Sequence, residues 1–224
     1  MKERRSIIKK VYSFFKRDND YWNSYYKRNP PKSQSESLFA QFVGKYVQSE
    51  RILVDLGCGN GRDSFFFNKH GLDVIGIDAS ESAITALSDY ASESLHFICG
   101  DFVNEDSVYN RKVDYFYSRF TIHAIDEDGE KALLKNVYQS LAGGGMFFIE
   151  VRGIHDDKYG KGEKVGRNTY LLDGHFRRFI NINEFLNNLI ETGFYVKYAE
   201  EAKGFAPYKN EDSEIIRVVV EKLC

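Results

Sequence analysis

One glycine-rich turn and three acidic residues, each at or just past the end of an apolar run, stand out in this chain as groups able to hold a ligand. The run Arg51 to Leu56 passes at once into Gly57-Cys58-Gly59-Asn60-Gly61, followed by a helical pattern from Arg62. Glycines at such a turn let the chain reverse sharply and let its backbone approach a ligand that side chains would exclude. A dinucleotide fingerprint, G-x-G-x-x-G, needs its third glycine at position 62, where this chain has Arg62, which argues against NAD. Asp55 places a carboxylate beside the turn, which suits a cationic group and opposes a pyrophosphate.

Asp78 ends a second apolar run 21 residues beyond Gly57, where an acid can accept hydrogen bonds from ribose hydroxyls. Its alternative role is to cap the helix that starts at Ala79-Ser80-Glu81. Gly100-Asp101-Phe102 closes a third run, with a carboxylate able to accept from the exocyclic amine of adenine and an aromatic ring able to flank the base.

The elements that must hold these residues alternate along the chain. Residues 51–56, 73–78, 95–100, 113–118 and 146–152 read as strands separated by helical patterns, which predicts a parallel sheet covered on both faces. After a helix over 182–192, two strand-like runs, 194–202 and 214–221, are joined by a connection too short for a crossover, so they are expected to pair antiparallel. The expected organisation is a basic amphipathic helix over 1–17, an aromatic helical cover over 18–48, and a catalytic domain over 49–224 with an insertion at 153–180. The first segment carries seven Lys/Arg against one Glu and offers a weak contact to a membrane surface or a partner.

The strings DLGCGNGRDS, GIDAS and GDF resemble the successive cofactor motifs of class I S-adenosylmethionine-dependent methyltransferases, and the first is similar to small-molecule types that act in tellurite resistance and on thiopurines. The resemblance covers about residues 50–152. It implies an α/β fold, Rossmann-like and doubly wound, with seven strands of which the last is antiparallel. It implies S-adenosyl-L-methionine as cofactor and S-adenosyl-L-homocysteine as product. Asp55, Gly57, Gly59 and Gly61 would line the methionine half, Asp78 the ribose, and Asp101 with Phe102 the adenine; Cys58, Asn60, Arg62, Asp63, Ala79 and Ser118 complete the expected cofactor site.

An activated methyl group needs mainly an aligned nucleophile and, for a hydroxyl or protonated amine, a proton acceptor. Such a site should lie beyond the carboxyl ends of the strands. The fourth strand leads into Ser118-Arg119-Phe120-Thr121-Ile122-His123, which lacks the Asp or Asn followed by Pro-Pro of amino-methylating relatives. This favours oxygen, sulfur or small-molecule nitrogen acceptors. His123 is the first candidate for a general base and Arg119 for an assisting cation, since histidine titrates near neutrality. Arg119, Arg152, His155, His175, Arg177 and Arg178 could converge on an anionic acceptor, with Tyr21, Tyr25, Tyr26 and Tyr208 closing the cavity. A solvated loop paired internally with Asp156, Asp157 and Asp173 is the competing reading. Those acids with His175 match no metal spacing, and no metal is expected.

A net charge of −2 gives no basic field for nucleic acid. Three widely spaced cysteines, Cys58, Cys99 and Cys224, build no disulfide framework, and no run reaches the roughly 20 apolar residues that span a bilayer. A cytoplasmic enzyme acting on a small molecule is therefore expected. A catalytically silent binding subunit and another nucleotide-binding enzyme are the alternatives, and the retention of all three acids favours activity.

Overall fold

The computed structural model describes residues 20–224 apart from Ser33 and Asp173; the basic helix expected over 1–17 and the carboxylate of Asp173 lie outside the described residues. The main sheet has seven strands: β1 (Ile52–Leu56), β2 (Asp73–Asp78), β3 (Leu95–Cys99), β4 (Val113–Arg119), β5 (Leu141–Arg152), β9 (Tyr195–Ala202) and β10 (Ile215–Glu221). Their order is β3-β2-β1-β4-β5-β10-β9. β1 pairs parallel with β2 through Leu53↔Val74 and with β4 through Leu53↔Tyr115. The expected mixed sheet is therefore present, with β10 antiparallel to both β5 and β9.

Strands buried on both faces need near-continuous apolar runs, and β1 and β10 supply them. One face packs Phe116, Phe147 and Ile149 under the helices α6 (Glu127–Ser140) and α7 (Ile182–Thr192), through Leu133, Leu134, Val137, Phe185 and Leu189. The other packs Leu53, Tyr117 and Phe148 under α2 (Leu38–Val43) and α3 (Arg62–Lys69), through Phe39, Val43 and Phe67. Strand order reverses beside β1, between β2 and β4. That reversal opens a crevice beyond the carboxyl ends of the strands.

Two parts differ from the sequence reading. β5 begins at Leu141 instead of Met146, because Leu141 pairs with Val113 across a bulge and the glycines behind it bond to the far end of β10, with Gly144 N donating to Lys222 O at 2.7 Å. The insertion at 153–180 is a second, three-stranded antiparallel sheet of β6 (Glu163–Gly166), β7 (Thr169–Leu172) and β8 (His175–Arg178). It is fastened to the domain by the Arg178 guanidinium, which donates to Glu130 Oε2 at 2.6 Å and to Ile125 O at 2.8 Å in a buried setting. Asn188 donates to the other Glu130 oxygen at 2.8 Å.

A described helix over 20–28, α1, lies across the crevice. Its Asn23 side-chain oxygen accepts from Ser80 Oγ at 2.7 Å and Ser82 N at 3.1 Å, which ties α1 to the start of α4 (Glu81–Leu87). Among the described residues no helix is long and apolar enough to cross a membrane.

Breaking a buried ion pair by removing one partner leaves an uncompensated charge. Arg178→Ala should accordingly lower unfolding free energy by about 3–5 kcal/mol, read by urea denaturation, and a loss under about 1 kcal/mol would show that Arg178 is not the fastening of the added sheet.

Candidate functional site

The turn after β1 takes its shape from Gly57 and Gly59, at φ 77° and 55°. Gly57 packs so closely on the next strand's exit that a Cβ there would fall 2.1 Å from Thr121 Cγ2. Four of the five amide groups of the turn are spent within the protein. Gly57 N and Cys58 N donate to Ile77 O at 2.8 and 3.0 Å, Gly61 N donates to Cys58 O at 2.9 Å, and Gly59 N donates to Asp78 Oδ2 at 2.9 Å. A phosphate cradle needs such N–H groups aimed at the ligand. This turn lacks them at those positions and instead presents carboxylates.

Asp55, Asp63, Asp78 and Asp101 border one cavity of about 610 Å³ with the glycine turn. Asp55 is buried, and Ser64 Oγ donates to its Oδ2 at 2.6 Å. Burial pushes its carboxyl up to about 7, against the lowering effect of that hydrogen bond. Burial also raises Asp78, opposed by the amides of Ser80 and Gly59. Both Asp78 oxygens already accept from backbone, Ser80 N at 2.8 Å among them, and each retains a lone pair for a hydroxyl. Asp101 braces its own turn, accepting from Val103 N and Asn104 Nδ2 at 2.9 Å each. Asp63 holds the fold at the cavity edge: it accepts from Ser37 N, Ser37 Oγ and Tyr117 OH at 2.7–2.8 Å.

α1 closes the cavity from above with Trp22, Tyr25 and Tyr26. Tyr26 sits on the glycine turn, so that a Cβ on Gly59 would meet its hydroxyl at 2.4 Å. Burial first, then Asp78, raises the Tyr26 phenol well above its usual range, which keeps it neutral. Arg62 reaches Gln34 Oε1 at 3.0 Å, and Asn60 Nδ2 reaches Asn29 O at 3.4 Å. Cys58, Ala79 and Phe102 also line the wall.

The exit of β4 forms the facing wall. Arg119 Nε donates to Glu150 Oε1 at 2.9 Å, and Arg217 Nε donates to Glu150 Oε2 at 2.7 Å. Phe120, in the left-handed region at φ 56°, lines the cavity. The Arg119 and Arg152 guanidinium carbons lie 4.6 and 5.0 Å from that ring's centre. A non-glycine residue held there is unusual and occurs where surrounding structure imposes it. Here Phe120 N is fixed to Glu150 O at 2.8 Å.

Several expected acceptor residues lie off the cavity. His123 is buried beside Phe120, and its Nδ1 has no hydrogen-bond partner among the described residues. Burial, then Arg152, Arg177, His175 and Arg178, hold its imidazole well below the ordinary range, so it is neutral and weakly basic. Arg178 is committed to Glu130 and Arg152 to Asp156, at 2.6 and 2.5 Å. His175 is buried under Tyr21, with ring centres 4.4 Å apart, and Arg177 contacts the same imidazole. His155 and Tyr208 face outward, and Ser118 is buried against Thr121. Conversely, Trp22, Gln34, Tyr117, Phe120, Thr121 and Ala124 line the cavity unforeseen. Their signal was positional: Phe120 and Thr121 follow the fourth strand, facing the glycine turn across the switch in strand order.

Residues 53–145 match the family model described as a methyltransferase domain. Carboxy-S-adenosyl-L-methionine synthase of Shewanella sediminis is 26% identical over 138 residues, covering 58% of this chain and 56% of that protein. The chain thus spans about half the length of the curated relatives it matches first. Among solved structures, the 1,6-didemethyltoxoflavin-N1-methyltransferase of Burkholderia thailandensis, with bound 1,6-didemethyltoxoflavin and S-adenosylhomocysteine, superposes with a TM-score of 0.72 at 17% identity, covering 96% of this chain and 90% of that one. The TehB-like S-adenosylmethionine-dependent methyltransferase of Corynebacterium glutamicum does so with 0.61 at 21%, covering 84% and 89%. The fold is that of the class I S-adenosylmethionine-dependent methyltransferases. Within it, residues 53–145 are the stretch that carries the methyltransferase-domain match, and the resemblance expected from the motifs is borne out.

A side chain at Gly57 would have to adopt a left-handed conformation and displace Thr121. Gly57→Val should cost about 2–5 kcal/mol of stability, measured by denaturant unfolding. A variant as stable as the parent would mean the turn is not packed on the β4 exit.

Proposed function

We propose that this chain is an S-adenosylmethionine-dependent methyltransferase acting on a small acceptor that bears an anionic group, with oxygen the favoured methylated atom. The observation that carries the reading is the pairing of a glycine turn, all of whose glycine amides are internally bonded, with buried carboxylates around one cavity. That environment repels a pyrophosphate and suits a cationic nucleoside. The cavity, about 610 Å³, falls within the roughly 300–1,000 Å³ of small-molecule sites.

The residues fit the cofactor part by part. Asp55 stands where an ammonium group would meet a desolvated carboxylate, Asp78 offers its remaining lone pairs to ribose hydroxyls, and Asp101 with Phe102 borders the place for adenine. Bound there, S-adenosylmethionine supplies a methyl group already activated on sulfonium. The protein's part is then to exclude water and align the acceptor. Trp22, Tyr25 and Tyr26 provide the cover and Phe120 the wall opposite it.

An anionic acceptor is supported by the charge behind that wall. Arg119 and Arg152 flank Phe120, and Arg152, Arg177, His175 and Arg178 all act electrostatically on buried His123. Arg119, Arg152 and Arg178 are each ion-paired to a carboxylate, and the field that remains beside Phe120 favours negative charge in the adjoining part of the cavity. His123, being neutral, adds no charge to this field and would serve to hold Phe120, whose ring centre is 6.0 Å away. The acceptor's proton would leave to solvent or to the acceptor's own basic group.

Two measurements test the reading. Asp55 must be ionised to hold a cation, and burial sets its carboxyl at about 7. Below that pH, binding has to expel a proton, so S-adenosylhomocysteine affinity should fall by up to about tenfold per pH unit and level off above it. Titration calorimetry across that range checks this, and Asp55→Asn should flatten the profile. A pH-independent affinity in the parent would remove Asp55 from the cofactor site. Second, labelled cofactor offered with matched carboxylate, phosphate and neutral acceptors should methylate the anionic members preferentially, with product analysis separating oxygen from nitrogen. Preference for neutral acceptors would end the anionic reading while leaving the transferase intact.

A further inference from the structure

The far end of the sheet carries a cluster that takes no part in the cavity. There β5, β10 and β9 are locked side by side, with Arg152 opposite Ile215 and Ile215 opposite Ala202. Three residues past Arg152 is His155, one before Ala202 is Glu201, and one before Ile215 is Glu214. One ligand atom from each lies within 4.8 Å of the others.

Glu201 is the anomalous member. Its side chain is only 10% exposed, one oxygen takes a 2.8 Å contact from His155 Nδ1, and the other, Oε1, is buried with no hydrogen-bond partner among the described residues. A buried carboxylate oxygen left unpaired costs free energy, and a bound water or an ion is what relieves that cost in native folds. The chain has made room for it: a Cβ on Gly153 would stand 2.0 Å from that oxygen. His155, by contrast, is 59% exposed, so an ion can reach the cluster directly from solvent.

We infer that His155, Glu201 and Glu214 form a binding site for one divalent transition-metal ion, with zinc the best fit. An imidazole with two carboxylates is a nitrogen and oxygen donor set that zinc accepts in tetrahedral geometry, the fourth position going to water. Magnesium and calcium prefer all-oxygen sets. Zinc bonds of about 2.0–2.2 Å require the three donors to draw in modestly, which an exposed imidazole and a half-buried Glu214 can do. The ion neutralises the two carboxylates, engages Glu201, and releases a proton from His155 wherever that ring was charged. It clips the loop after β5 to the β9–β10 hairpin. The site is independent of the methyltransferase reading, since none of the three residues borders the cavity.

The test uses the untagged, metal-free full chain titrated with zinc chloride by calorimetry, with melting temperature followed in parallel. One equivalent should bind and raise the melting temperature, because a ligand of the native state stabilises by mass action. His155→Ala and Glu214→Gln should each weaken binding by at least about tenfold while melting as the parent does without zinc. Cys99→Ser/Cys224→Ser should bind zinc unchanged, excluding the exposed thiols. Zinc affinity that survives His155→Ala and Glu214→Gln, affinity lost in the cysteine variant, or no zinc binding at micromolar concentration would each overturn the assignment.

Discussion

Burying carboxylates together at the ends of parallel strands is costly, because each loses hydration and each repels the next. The crevice of this protein is organised around that constraint. Asp55 is met by Ser64, Asp78 by two amides, and Asp63 by Ser37 and Tyr117. Apart from Tyr117 of β4, each of these donors belongs to the connection that follows a strand, to α3, or to the segment leading into α2. The glycine turn, the first turn of α3 and the position of α2 are thus parts of one arrangement that keeps negative charge in a dry place. Glu150 is the counterpart in the neighbouring strand, and Arg119 and Arg217 bracket it.

Much of this was legible because it is local. A strand, a glycine turn and a helix succeed one another within Ile52–Lys69, and the acids occur at the strand ends by simple spacing. The antiparallel hairpin followed from a connection too short to cross over. Long-range partnership was not legible. Arg178 reads in sequence like any arginine in a loop, and only a glutamate 48 positions away explains it. The extension of β5 depended on β10, and the burial of His175 on Tyr21 of a distant helix. Periodicity of two within four-residue strands broken by turns gave little warning that 153–180 folds as a sheet.

The position of β10 has a consequence for how the chain acquires this structure. β10 is the interior strand between β5 and β9 and supplies Arg217 to Glu150, yet it comes after both in sequence. Until it inserts, β5 presents an open apolar edge and Glu150 has only Arg119 for company. Strand pairing across such separations is slow compared with local helix formation, and an unpaired hydrophobic edge invites pairing with other chains. During synthesis the crevice can therefore assemble from β1 to β4 well before the sheet is sealed, and the interval before sealing is when aggregation competes with folding and a chaperone would matter most.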